Sequence, residues 1–296
     1  MRVVTLLPAA TEIVAALGGG EYLVGISHEC DYPAAVQGLP RVTASPVDVA
    51  VPGAAIDAEV RRLRDAGQPV IGIAADLVRR LAPDLVITQD LCEVCAVADG
   101  EVHRLTTVMN PAPAVLSLQA RDLQGIWTDI RRVGQALDLE DEAEELVLGL
   151  QSRLKRLLPA TPAKALRVLC IEWLYPLYLA GHWVPELVAA AGGQDVGASP
   201  GSHSARRQWR ELSGLKPDHV LVMLCGFGIE RARAELSSLQ DLEAVELLQR
   251  VPVSIIDGNA YTSRPGPRVV DGAQQIQWAL TERSSADVQR WQPQPA

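Results

Sequence analysis

At 296 residues with a net charge of −9, 48% hydrophobic and 21% charged residues, the chain has the composition of a globular protein. It is long enough for two lobes with cores of their own. It has no basic cluster and few aromatic residues, which argues against nucleic acid and anionic membrane surfaces as partners. Its most apolar stretch, Val3 to Leu17, is cut by Pro8, Thr11 and Glu12, so no membrane-inserted helix is expected.

In chain order, residues 2–7 (RVVTLL) read as a buried strand, and Pro8-Ala-Ala-Thr-Glu12 opens a helix that Gly18-Gly-Gly20 closes. Tyr22 to Ile26 is a second strand, leading into Ser27-His28-Glu29-Cys30-Asp31-Tyr32-Pro33. Residues 34–53 read as loop, Ala54 to Ala66 as an amphipathic helix and Leu77 to Leu81 as a short one. Pro83-Asp84 then introduces the strand Leu85-Val-Ile-Thr88, which ends in Gln89-Asp-Leu-Cys92-Glu-Val-Cys95.

From Arg121 to Pro159 apolar residues recur at i, i+3/i+4 spacing, through Leu123, Ile126, Trp127, Ile130, Val133 and Leu137 and again from Ala143 to Leu157. Asp138, with Asp141 three residues on, reads as a helix start, giving a rod about 30 Å long. Beyond it the opening pattern returns. Arg167-Val-Leu-Cys-Ile171 resembles Arg2-Val-Val-Thr-Leu6, and a helix near Val184 to Ala191 ends in Gly192-Gly193. Leu215-Lys-Pro-Asp-His-Val-Leu221 echoes Leu81-Ala-Pro-Asp-Leu-Val-Ile87. A repeated succession of this kind predicts two similar α/β lobes with mainly parallel sheets, joined by one long helix. The lobes are 1–120 and 160–283, the linking helices 121–159, and 284–296 a frayed tail. Ligand sites of parallel sheets lie beyond the carboxyl ends of the strands, so a cleft between the lobes is expected.

Five cysteines are too few for a disulfide scaffold. His28-x-Cys30 and Cys92-x-x-Cys95 each follow a predicted strand of the first lobe. Together they offer an imidazole and three thiolates, a donor set suited to zinc or another soft metal, or else a dithiol couple. Partly buried thiols shaping a loop are the plainer alternative, and both readings stand at this level. Cys170 and Cys225 lie in or beside apolar strands and read as core. Glu172-Trp173 and Gly181-His182-Trp183 either face a cleft or pack their lobe. His203 with Arg206 and Arg207 forms a group suited to an anion, or a solvated loop. No G-x-S-x-G, P-loop, G-x-G-x-x-G after a strand or His-Glu-x-x-His occurs, and nothing pairs a nucleophile with a base.

Arg2-Val-Val-Thr-Leu-Leu-Pro-Ala-Ala-Thr-Glu12, Val24-Gly25, Cys30-Asp-Tyr-Pro33, Leu81-x-Pro-Asp-Leu-Val-Ile87 and Arg264-Pro-Gly-Pro-Arg268 stand in the order of a known family. The chain resembles the substrate-binding proteins of cobalamin and iron-siderophore ABC importers, most of all those that bind vitamin B12. The resemblance implies two α/β lobes on a rigid helical backbone, no catalysis, no required cofactor, and cargo held between the lobes. It places Pro8, Ala9 and Tyr32 on the first lobe's side of the cleft. Tyr178, after Pro176, stands where the vitamin B12-binding members have a cleft phenylalanine, and Arg264 matches a cleft arginine. Glu211 matches one of two surface glutamates that dock on a membrane permease, with Glu93 or Glu101 as its first-lobe counterpart. Gln89 stands where those members have a cleft tryptophan, and the Ala205-Arg206 region lacks another, so Trp173, Tyr175, Trp183 and Trp209 are the aromatic residues left to wall a corrin ring.

The reading is a non-catalytic protein that binds a corrinoid or other metal chelate, with Tyr32, Gln89, Trp173, Tyr178, Arg206 and Arg264 lining the cleft. The competing reading is a metal- or thiol-dependent enzyme centred on His28, Cys30, Cys92 and Cys95. No secretory signal precedes the first strand, so a cytoplasmic location is expected as the chain is written, or a periplasmic or lipid-anchored one if a leader has been removed.

Overall fold

A computed structural model describes residues 1–89, 97, 99–157, 165–283 and 285–292. The described chain divides into two compact units. The first comprises Met1–Val51, Ala55–Ala120 and Gln124–Gly149, and the second Pro52–Ala54, Arg121–Leu123 and Leu150–Ala296.

The first unit opens with β1 (Val3–Thr5), buried along its whole length, and α1 (Pro8–Ala16). Pro8 at the first helical turn needs no N–H partner and arrives with its φ already helical. Gly18, at φ 82°, ends the helix in the left-handed conformation a glycine adopts without strain. There follow β2 (Leu23–Gly25), β3 (Thr43–Ala44), α2 (Gly53–Asp65), β4 (Gly72–Ile73), α3 (Ala75–Leu81), β5 (Leu85–Gln89), α4 (Asp99–Thr106) and β6 (Ala114–Leu118). The sheet order is β2-β1-β5-β6, parallel throughout. One face buries Val4, Leu6, Val42, Val78 and Val86 with residues of the surrounding helices. The expected loop at 34–53 is not all loop: β3 pairs antiparallel with β4, in a two-stranded ribbon too short to register as a periodic pattern.

Two helices carry the chain onward, α5 (Leu123–Ala136) and α6 (Glu140–Leu157). Asp138 does not start the second, as its sequence context suggested. It sits at φ 57° as the left-handed residue that ends the first, with the Leu139 N–H bonded to the Gly134 carbonyl at 2.9 Å. Asp129, buried in α5, accepts the N–H groups of Gln119 and Ala120 at 2.7 and 2.8 Å, which ties the helix to the end of β6. α6 begins in the first unit and passes into the second between Gly149 and Leu150.

The second unit continues with β7 (Leu166–Leu174), β8 (Leu177–Leu179), α7 (Val184–Ala190), β9 (Gly193–Asp195), β10 (Ala205–Arg206), α8 (Trp209–Leu212) and β11 (His219–Val222). It ends with α9 (Ile229–Ser237), α10 (Leu242–Arg250), β12 (Val253–Ile256), α11 (Gly258–Tyr261), α12 (Val269–Leu280) and β13 (Val288–Trp291). Its parallel strands run β9-β7-β11-β12, the same order as β2-β1-β5-β6. Two additions distinguish it. β7 runs on into a hairpin with β8, and β10 joins β8 on the far side, both antiparallel. The segment expected to be a frayed tail instead supplies β13, paired antiparallel with β12 over four residues. Val288 is buried, and backbone pairing to a buried strand holds what composition alone left loose.

Candidate binding surfaces

In the first unit the sequence-selected residues lie after the strands. Pro8 and Ala9 occupy the first turn of α1 directly beyond β1 and are buried. Leu7 precedes them in extended backbone and provides no side-chain cap. Tyr32 lies beyond β2 and is 48% exposed, ahead of a cis bond to Pro33. Gln89 is the last residue of β5, opposite Leu118, and only 8% exposed.

His28 and Cys30 are bound into a chain of hydroxyl groups. His28 Nδ1 is 2.7 Å from Thr43 Oγ1, which in turn donates to Ser27 Oγ at 3.0 Å. Cys30 is 2% exposed, with its Sγ 3.0 Å from Thr11 Oγ1, and Thr11 lies 2.6 Å from Thr5 Oγ1. Thr43 and Thr11 thus engage the two residues separately. Cys92, Cys95 and Glu93 lie outside the described residues. Among the described residues no cluster of three or more His, Cys, Asp or Glu is arranged to hold a metal ion. Glu101, the other docking candidate, accepts the Ile73 N–H at 3.2 Å and so ties α4 to β4.

The second unit gathers its candidates more closely. The register of the antiparallel ribbon sets Trp173 opposite Tyr178, and Tyr178 opposite Arg206. Directly opposed residues share a face of a sheet, so an indole, a phenol and a guanidinium form one rung across three strands. Arg206 is exposed, whereas Trp173 and Tyr178 are half-buried. Beside this ribbon lies a groove of about 610 Å³, flanked by Tyr175, Arg206, Arg207 and Glu211. Glu211 is exposed, and its Oε2 accepts the Gln208 N–H at 3.2 Å in a capping box at the start of α8.

Of the other indoles offered as aromatic wall, Trp209 lines the groove beside Tyr175 and Arg207, and Trp183 packs within its unit. Both are buried, and Trp183 Nε1 donates to the Thr262 carbonyl at 2.9 Å. His182, at φ 54°, lies edge-on to His203 with 5.5 Å between ring centroids. Burial first, then the charges of His203 and Arg121, hold its imidazole below the ordinary histidine range.

Arg264 is 6% exposed in the loop beyond β12 and donates from Nη2 to Asn259 Oδ1 at 2.8 Å. That loop crosses the one beyond β11 at Gly258, whose N–H meets the Phe227 carbonyl at 3.1 Å. A Cβ at residue 258 would stand 2.2 Å from the Leu224 carbonyl oxygen, so only glycine permits the crossing.

The crossing brings in a group the sequence reading missed. Phe227 contacts Trp173 with ring centroids 5.2 Å apart, and the Arg231 guanidinium lies 4.8 Å above the Phe227 ring. Arg231 pairs with Glu235 at 2.8 Å. The four-residue steps Phe227–Arg231–Glu235 are visible in the sequence, and Phe227 is its one phenylalanine.

The profile of the family described as "Periplasmic binding protein" matches residues 3–252. The chain belongs to that family. Its members bind their substrates without transforming them, so this chain is a binding protein and not an enzyme. It is 23% identical to the vitamin B12-binding protein of Pectobacterium carotovorum over 289 residues, 96% of this chain and 89% of that one. Among solved structures it is similar to a periplasmic heme binding protein from Pseudomonas aeruginosa, with a TM-score of 0.74 and 20% identity over 100% of this chain and 99% of that one. The vitamin B12 binding protein BtuF of Vibrio cholerae gives 0.62 at 20% identity, over 95% and 96% of the two chains. The α/β fold with mainly parallel sheets, repeated in two units, is the fold of this family. Among the described residues no helix is long and apolar enough to cross a membrane.

Proposed function

We propose that this chain is the substrate-binding component of an ABC importer whose cargo is a metal-bearing tetrapyrrole, a corrinoid or a heme. On this reading the ligand lies against the loops at the carboxyl ends of the parallel strands. The observation that carries it is the Trp173–Tyr178–Arg206 rung, which offers flat aromatic surface beside an exposed cation. Such a surface suits a planar macrocycle with polar or anionic arms. The vitamin B12-binding relative and the heme-binding neighbours support the ligand class.

Recognition needs no chemistry. Trp173 and Tyr178 contribute apolar area and Arg206 and Arg264 orient the polar arms; Tyr32 and Gln89 are the candidates on the first unit. Glu211, exposed beside the groove, is the residue offered to a permease, which would place the protein at the outer face of the membrane its importer spans. The enzyme alternative draws no support from His28 and Cys30, each held by a threonine hydroxyl.

The test is titration of the ligand-free protein with hemin and with cobinamide, following tryptophan quenching and the absorption bands of each probe. Saturable one-to-one binding of either, weakened in Tyr178→Ala, is expected. Failure of both probes to bind saturably would overturn the reading.

A further inference from the structure

We propose that Glu235 is a latch that holds the strap Pro52–Ala54 over the Trp173–Phe227 ring pair, and that the pair becomes available to a flat ligand only when this latch opens. The ligand part of the inference rests on the function proposed above; the latch itself does not.

Pro52–Ala54 belongs to the second unit, although the residues on both sides of it in sequence belong to the first. The Gly53 N–H points at Glu235 and meets Oε1 at 3.1 Å and Oε2 at 3.2 Å. Gly53 is also the first residue of α2, where its N–H has no partner within the helix. Glu235 is itself only 7% exposed. A buried carboxylate requires compensation, and Arg231 supplies it, with Nε 2.9 Å from Oε1. Arg231 rests in turn on Phe227, and Phe227 on Trp173. The strap, the carboxylate and the ring pair are thus one connected set. Gly53, Trp173, Phe227 and Glu235 enclose a crevice too narrow to admit a water molecule.

Glycine is what lets the strap lie so close. A Cβ at residue 53 would stand 3.3 Å from Glu235 Oε2 and 3.4 Å from Trp173 Cζ2. At Gly53 the cover is bare backbone, held there by a charge-assisted N–H. Such a contact orders the rings yet opens at modest cost, and its opening returns the carboxylate to water rather than stranding it. A flat ligand would exchange its own apolar face for the glycine.

The test uses the full ligand-free chain and the variants Glu235→Ala and Gly53→Val. The second leaves Glu235 and Arg231 intact, so it decides the matter if the first folds poorly. Hydrogen exchange at the Gly53 and Ala54 amides is expected to quicken about tenfold or more in both variants, with a red shift of Trp173 emission assigned by Trp173→Phe. Equal exchange in parent and variants would overturn the latch, whatever the ligand. For whichever of hemin and cobinamide binds the parent, the variants are expected to bind about threefold tighter or more, because no strap has to be displaced. Weaker binding would overturn the gating role, since the strap would then be part of the bound wall. If neither probe binds any of the proteins, the functional reading fails and the exchange data alone decide the latch.

Discussion

Asp84 receives the backbone N–H of Arg2 at 2.7 Å, and Arg2 Nε reaches back to the Leu81 carbonyl at 2.8 Å. The second unit repeats this clasp. Asp218 accepts the Arg167 N–H at 2.9 Å, while Arg167 donates to the carbonyls of Lys216 and Leu215 at 3.0 and 2.7 Å. Ala82 and Lys216, each just before a proline, both take the left-handed conformation, at φ 43° and 46°. The Pro-Asp motif therefore turns the chain out of one element and pins the start of the sheet's first strand, once in each unit. Both aspartates are exposed, so each bond contributes modestly, about 0.5–1.5 kcal/mol. Asp84→Ala and Asp218→Ala should each lower stability by that amount in urea unfolding. Parental stability in both variants would mean that the clasp aligns the strands without holding them.

The duplication was legible because it rests on local rules. A left-handed residue, a proline, an aspartate and an apolar strand do the same work wherever they recur, as do Gly18 and Gly192 at helix ends, with φ 82° and 90°. The ribbon β8–β10 was not legible. Its strands are three and two residues long, and the rung joining Trp173 to Arg206 depends on pairing across a loop that periodicity does not read. The sequence brought Trp173, Tyr178 and Arg206 forward by separate arguments, and only the register makes them neighbours. Gly53 and Glu235 meet across 182 residues, so no local pattern announces them. Trp183 shows the converse: an aromatic residue near a strand end can serve the core as readily as a ligand.

Gly134 tests how tightly α5 and α6 turn on one another. A Cβ there would stand 2.4 Å from Ala143 Cβ and 2.9 Å from the Leu139 carbonyl oxygen, inside any permitted contact. Helix propensity favours alanine over glycine by about 1 kcal/mol, so substitution at an unconstrained site would stabilise. Here overpacking should win. Gly134→Ala is expected to destabilise by about 1–3 kcal/mol, read from the urea midpoint at unchanged slope. A gain in stability would show that the turn relaxes freely.

The rung predicts a split between area and charge. Tyr178→Ala removes aromatic surface and, on the proposed function, should weaken hemin or cobinamide binding by about tenfold at any salt concentration. Arg206→Ala removes an exposed cation, so its effect should be about three- to tenfold at low ionic strength and shrink as salt screens the interaction. Titrations of each variant at low and high salt separate the two. Salt dependence that is the same in Arg206→Ala as in the parent would remove Arg206 from the site.

His219 supplies the clearest pH dependence. It is 4% exposed in β11, with Nε2 3.0 Å from Ser254 Oγ. Burial, reinforced by the charge of Arg290 and opposed by Glu282, lowers its pKa from 6.5 to about 4. The unfolded chain therefore binds this proton more readily than the folded one. The stability His219 contributes is complete above its unfolded pKa of 6.5 and is lost as pH falls towards about 4. The loss is at most about 1.4 kcal/mol for each pH unit in that window. Asp195 acts in the opposite sense. Burial, the largest influence on it, raises its pKa from 3.8 to about 6, so it favours folding at acid pH and loses that contribution as pH rises between those values. His219→Gln keeps a polar partner for Ser254 but cannot titrate. Between pH 7 and pH 5 the parent should lose about 1–2 kcal/mol more than this variant in urea unfolding, with Asp195 common to both. Parallel losses in the two proteins would show that His219 takes up its proton in the folded state as easily as in the unfolded chain.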